Sequence, residues 1–400
     1  MGFSVASSCE FYKEIRGSVV VQRQKVKTKY DIKIADLSCN SNLILQNSDQ
    51  KKLLKFLERV NFHPSCDLYI SIDMNIKEAL YKKFKSLKDL RNIFKTNKDC
   101  IEFLEDLIWE GEPISPYDET SKVYPCKDGW YKCKNTGKEF NILTGTLFQN
   151  TKIALPIWFE IIFRMCSDKG GVTSTTVARD YGISQTTAWY MLQKIRNAMG
   201  FENHQELSGT VETDEYHAGG SLKNMHYDKK LKIKKRVNQN KKLLQGFIKR
   251  GGNLVIRTIP EATDDVINAG ILRFVRPGST LYSDDNPSYQ KLPPIYTRGI
   301  VVHSRGNYVN KDNNDIYTNT MESGWAGVKR IENTYIKISH KHIQNYANEV
   351  VFRYNTTKVK MNSAEACTWL LQNIQGTNIT WRQIRNAEYT QFNRNQARAA

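Results

Sequence analysis

No apolar run in these 400 residues is long enough to span a bilayer, and no basic amphipathic stretch reads as a surface anchor, so a membrane-bound class is set aside. The opening residues, MGFSVASSCEFYKEIRG, lack the basic segment followed by a long apolar one that marks a secretory leader. Cysteine is sparse: eight residues at irregular intervals, the usage of a reducing compartment rather than of a disulfide framework. The expectation is a soluble protein of the cytoplasm or nucleoid in a bacterium, or of the nucleus if the host is eukaryotic. Acid is also in short supply. Lys and Arg outnumber Asp and Glu by 59 to 41, a net charge of +18, so the surface carries a field that attracts a polyanion, and nucleic acid is the first candidate partner. With 40% apolar residues the chain can bury a substantial core, and its length suggests two to four domains.

Residues 1–75 alternate basic, polar and short apolar runs and carry no usable motif. In residues 76–112, Phe84, Leu87, Leu90, Ile93 and Phe94, then Ile101, Leu104, Leu107 and Ile108, recur at helical spacing, which predicts two short amphipathic helices. Residues 113–150 read as a small β unit, with GWYKC and KEFNILTGTLF as strands either side of KNTG. In 151–202, the stretch TSTTVARDYGISQTTAWYMLQKIRNAM predicts two helices about a turn at Gly182, with Ser184 as N-cap of the second. A helix-turn-helix would put Gln185, Thr186, Thr187, Lys194 and Arg196 in a DNA major groove; an ordinary helical hairpin with a solvated basic face fits the same spacing. Residues 205–375 alternate strands and helices: SGTVETD, a hairpin turned at Gly251-Gly252, a helix in TDDVINAGILRFV, a strand in STLYSDD, then two helices. Within them LKNMHYDKKLKIKKRVNQNKK, including Lys234, Lys235 and Arg236, reads as a basic loop that either contacts phosphates or is simply solvated. Residues 376–400 read as a polar tail.

The acids carry the chemistry. In VETDEYHAGG the side chains alternate, so Glu212 and Asp214 share one face of a strand. Packing alone would favour apolar residues there. Asp284 stands where the strand STLYSDD runs out into a turn, and a turn-capping role is the alternative to a functional one. Glu322, Trp325 and Lys329 fall on one side of the helix NTMESGWAGVKR. At 1.5 Å of rise per residue, Glu322 and Lys329 stand roughly 10.5 Å apart along the axis, which predicts no direct ion pair. Three acids from two strands and a later helix suit a two-metal site for Mg²⁺ or Mn²⁺, in which the ions work on both sides of an in-line displacement at phosphorus.

Residues 76–355 resemble the DDE transposases of a group of bacterial insertion sequences, related to eukaryotic Merlin-type transposases. The stretches that carry the resemblance are FKSLKDL, YKCKNTGKEFNILTGTLFQNTKIALPIWF, ISQTTAWYMLQKIR, VETDEYHAGG, YSDDNPSY, VVHSRGNYVN, TNTMESGWAGVKR and KHIQNYANEVVFRYN. The resemblance implies an α/β fold: an RNase H-like catalytic core preceded by a helix-turn-helix and a zinc-ribbon β unit. It implies Asp214, Asp284 and Glu322 as catalytic metal ligands, Lys329 as a basic residue of the site, and His303 at its rim. Glu215 and His217 lie beside the first acid. The implied activity is cleavage of transposon ends and joining of the freed 3′-hydroxyl to target double-stranded DNA, by a homo-oligomer. The chain departs from its family at the ribbon. Where two Cys-x-x-Cys pairs would hold zinc, it has Ser115-Pro-Tyr-Asp118 and Cys133-Lys-Asn-Thr136, so the expectation is no structural zinc and packing through Phe140, Ile142, Leu143 and Phe148. A catalytically inactive DNA-binding derivative and a purely hydrolytic nuclease are the competing functions.

Overall fold

The computed structural model describes residues 84–219, 241–289, 291–301, 319–336 and 338–389. The N-terminal region 1–75, Lys234, Lys235, Arg236 and His303 lie outside the described residues. Helices α1 (Leu87–Ile93) and α2 (Asn97–Leu104) each start with a capping box, Ser86 with Asp89 and Thr96 with Asp99, so two orphan amides are satisfied at each start. Phe84, Phe94 and Phe103 meet edge to face, and Phe94 continues onto Phe159 of α3 (Leu155–Ser167).

Three short antiparallel strands follow α2 in the chain: β1 (Val123–Pro125), β2 (Tyr131–Cys133) and β3 (Glu139–Phe140). The strand expected through KEFNILTGTLF stops at Phe140, because side chains take over the backbone bonding. The Asn141 side chain accepts the Leu143 amide, and the Thr144 hydroxyl accepts the Asn141 amide. Phe140, Ile142 and Phe148 are buried, as expected, with Leu143 packed against them. Where zinc ligands would converge, Cys133 is buried among the hydroxyls of Ser115, Ser121 and Thr136. Burial pushes its thiol up, but those hydrogen bonds outweigh burial and bring it down to about 6. Asp118, one ligand position along, accepts from Asn135 and Thr120 instead.

Helices α4 (Ser174–Tyr181) and α5 (Gln185–Ala198) are joined at Gly182, whose φ of +63° is the left-handed cap that glycine adopts without penalty. The Ser184 hydroxyl accepts the Thr187 amide, so the expected N-cap is present.

The largest sheet has the order β6-β5-β4-β7-β8: β4 (Thr210–Ala218), β5 (Lys242–Lys249), β6 (Leu254–Ile259), β7 (Thr280–Asp284) and β8 (Thr297–Val301). The β5–β6 hairpin lies antiparallel on one side of β4, and β7 and β8 run parallel on the other. Helix α6 (Asp264–Phe274) covers one face through Ile267, Ile271 and Phe274. Helices α7 (Asn319–Tyr335) and α8 (Ile343–Lys358) cover the other. A mixed α/β core with β4 at its centre is therefore the scaffold. The expected polar tail begins later than position 376. Helix α9 (Ser363–Gln372) is followed by α10 (Trp381–Asn386), whose Thr380–Gln383 capping box and buried Ile384 hold the chain down through residue 389. Two apolar residues, Trp381 and Ile384, in a six-residue stretch are too weak a periodic signal to predict so short a helix. All described residues belong to one unit, Lys77–Ala400.

Candidate functional site

β4 presents its even-numbered side chains to α7. Glu212 accepts the Met321 amide (3.0 Å) and the Thr320 hydroxyl (2.8 Å); Asp214 Oδ2 accepts the Trp325 indole N–H (2.8 Å); the Tyr216 hydroxyl donates to Glu332 (2.9 Å). The period of two thus places both acids on one face, as the alternation in VETD predicts. The helix can come this close because the residue opposite Asp214 on β5 is Gly246. A Cβ there would stand 2.4 Å from the Met321 methyl and 2.8 Å from the Trp325 ring. Beyond Ala218 the backbone turns through Gly219, at φ +141°, whose amide donates to Glu332.

Asp284 closes β7 beside β4. Its Oδ1 accepts the Asn286 amide (3.2 Å), so it does cap the turn. Arg298 on β8 braces the same turn, donating to the Asp284 carbonyl, the Tyr289 carbonyl and the Ser283 hydroxyl. The structure brings Asp214, Glu215 and Asp284 together, with one carboxylate oxygen of each within 4.8 Å of the others. In the sequence Glu215 stood only beside the first acid, with no ligand role. Here the Asp214 carboxylate folds back along the chain and accepts the Glu215 amide (2.8 Å). The pairing of β4 with β7 ends at Glu212, so the strand beyond is open on that side. The adjacent acidic pair Asp214-Glu215 at a strand's unpaired end is the signal that could have found it.

Burial, then the charges of Asp284 and Glu322, push the Asp214 carboxyl above its ordinary value, against the pull of the Trp325 hydrogen bond. Burial raises Glu215 further, to about 7, with Asp214 and Asp284 adding to it and the buried Tyr289 hydroxyl, which donates to Glu215, opposing it. Glu322 is outside the group of three, although its charge reaches Asp214. Contrary to expectation it pairs with Lys329, Nζ to Oε2 at 3.9 Å. The rise of the backbone alone misjudged this. Side chains on a helix lean toward its N-terminus, so a lysine reaches back across two turns. The same ammonium lies over the Tyr216 ring, which stacks on Trp325. A cleft of about 470 Å³ adjoins the acids, lined by Glu215, His217, Lys241, Lys242 and Asn286.

Of the residues expected to contact DNA, Gln185 and Thr186 are exposed at the start of α5 and Thr187 is partly so. Lys194 and Arg196 are corrections. They are 3% and 1% exposed, and Arg196 Nε donates to Glu349 at 2.7 Å. The second half of α5 is buried on every side, so these cations serve the interior and cannot enter a groove.

The carboxylate cluster suits a hard divalent cation: its oxygens are close, and the donors bonded to Asp214 Oδ2 and Glu215 Oε1 are the neutral Trp325 and Tyr289. No helix among the described residues is long and apolar enough to cross a membrane. Residues 206–355 match the ISXO2-like transposase domain. The chain is also 26% identical, over 226 residues, to an uncharacterized protein in transposable element ISH50 of Halobacterium salinarum, a match that covers 54% of this chain and 75% of that protein.

Proposed function

We propose that this chain, whose residues 206–355 match the ISXO2-like transposase domain, is a DDE transposase that cuts transposon ends and joins the freed 3′-hydroxyl to target DNA. The observation that carries the proposal is the acid cluster at the open end of the central strand, held by neutral donors. Asp214 and Asp284 would hold the metal, Mg²⁺ or Mn²⁺, with Glu322 completing the site from α7. A pair of such ions would supply positive charge to the attacking and leaving oxygens of an in-line displacement. Like charges this close favour a retained proton without a cation, and a cation or protonation relieves them. Lys329 stands at the rim, where it can trade Glu322 for a DNA phosphate at little cost, because an exposed pair contributes little.

The strand order, an antiparallel hairpin on one side of β4 and two parallel strands on the other, supports an RNase H-like core. Helices α4 and α5 act as a helix-turn-helix that offers Gln185, Thr186 and Thr187 to a major groove. The degenerate ribbon does without zinc, because hydrogen bonds around Cys133 and Asp118 occupy the ligand positions. Lys234, Lys235 and Arg236 neutralise phosphates, and the protein works as a homo-oligomer on its two DNA ends.

The test is strand cleavage and joining on duplexes that carry the ends of the element encoding the gene, in Mg²⁺ or Mn²⁺. Wild type joins, whereas Asp214→Asn, Asp284→Asn and Glu322→Gln bind DNA without cutting it. Binding with no cleavage in either metal would leave the inactive DNA-binding derivative; cleavage without joining would leave the nuclease.

A further inference from the structure

Glu212 is fully buried, yet it is an acid in the middle of the central strand, two residues before Asp214. Its Oε1 accepts from Arg250 Nε (2.8 Å) and from the Thr320 hydroxyl (2.8 Å), and its Oε2 accepts the Met321 amide (3.0 Å). Arg250 stacks over Tyr282, the β7 residue directly across from Glu212. One carboxylate therefore ties together β4, the residue that follows β5, and the start of α7. The residue immediately after Met321 is Glu322.

We infer that Glu212 is the positioning residue for the third acid: it fixes the start of α7 against β4, and with it the place of Glu322 beside the cluster of Asp214, Glu215 and Asp284. The inference rests on the proposed metal site. Purely structural burial explains the geometry poorly. An apolar side chain would fill the space between β4 and α7 but would accept neither the Met321 amide nor the Thr320 hydroxyl. A carboxylate accepts the backbone N–H of Met321 and the side chain of Thr320 at once, and so sets both the height and the rotation of α7 on the strand. The second contact, Trp325 to Asp214, lies one turn on. Between the two, Glu322 has little freedom to swing away. Of the three proposed ligands, Glu322 depends most on this clamp, because it alone is carried by α7, whereas Asp214 belongs to β4 and meets α7 only through Trp325, and Asp284 lies at a turn braced by Arg298.

The prediction concerns coupling. Mn²⁺ binding is titrated calorimetrically on the full chain in wild type, Glu212→Gln, Glu322→Gln and the double variant, with circular dichroism melts alongside. Removing an outer partner of a metal ligand costs about 10- to 100-fold in affinity, so Glu212→Gln should weaken binding by about tenfold. Because Glu212 acts through Glu322, the double variant should bind no more weakly than Glu322→Gln alone. Thr320→Val, which leaves the Met321 amide bond in place, should show the same coupling with a smaller loss, and it carries the cycle if Glu212→Gln does not fold. Equal weakening by the Glu212 or Thr320 change in both backgrounds would mean the clamp serves only general stability, and the inference falls while the metal site stands. If wild type and Asp214→Asn give identical titrations, the metal site itself is wrong and the inference goes with it.

Discussion

Glu349 and Asp214 are acids withdrawn from water within one folded unit, and their surroundings treat them in opposite ways. Around Glu349 stand Arg196 (2.7 Å), Arg353 (2.9 Å) and the Tyr335 hydroxyl (3.0 Å). Burial pushes its carboxyl up, and the two guanidinium groups more than reverse this, so it sits below its ordinary value. The Arg196 guanidinium also lies over the adjacent Tyr335 and Tyr346 rings. Around Asp214 stand the Trp325 indole and two further acids, and its carboxyl is pushed up. A buried acid with cations built in is part of the frame: it joins α5 to α7 and α8. A half-buried acid among other acids suits a cation from solution.

The contrast can be broken from either side, and the largest effect is expected on activity. Asp214→Asn should reduce metal-dependent joining on the order of a thousandfold, since a metal supplies several kcal/mol to the transition state, while its melting temperature stays level or rises as like-charge repulsion is relieved. Glu349→Gln should do the reverse. Leaving Arg196 buried and uncompensated costs about 3 kcal/mol, read as a melting temperature lower by about 4 °C, with any lost activity tracking lost fold. Next in size, a hundredfold excess of Mn²⁺ over its dissociation constant should stabilise wild type by about 2.7 kcal/mol and Asp214→Asn scarcely at all. A thermal-shift series in Mn²⁺ measures this.

The smallest effect concerns a buried base. His342 lies against Trp189 and shares a hydrogen bond with Tyr389, and burial, aided by Lys341, lowers it to about 4. The unfolded state then binds more protons than the folded one between about pH 6.5 and 4, so stability falls as pH drops through that window. The melting temperature should fall by a few degrees on going from about pH 7 to 5, and His342→Gln should flatten that part of the pH profile.

Much of this was written in local pattern. The hairpin at Gly251-Gly252, the Ser184 cap, the shared face of Glu212 and Asp214, and Asp284 at a strand end all follow from turn chemistry, capping and the period of two. What local pattern could not carry is partnership across the chain. Lys194 and Arg196 look like surface cations until Glu349, 153 residues beyond Arg196, is brought beside it. Glu215 joins the acids only because the Asp214 carboxylate folds back where β4 outruns β7. The Glu322–Lys329 pair depends on side-chain lean, which spacing along the axis omits. That the β unit lacks two Cys-x-x-Cys pairs was visible; that hydroxyls gather on Cys133 was not.

The most direct measurement is anomalous diffraction from crystals soaked in Mn²⁺. The account predicts a peak at the open end of β4, about 2.1–2.2 Å from oxygens of both Asp214 and Asp284, lost in Asp214→Asn crystals. A saturated crystal with no peak there, or with the ion held away from Asp214, would contradict the claim that this acid cluster is the reaction centre.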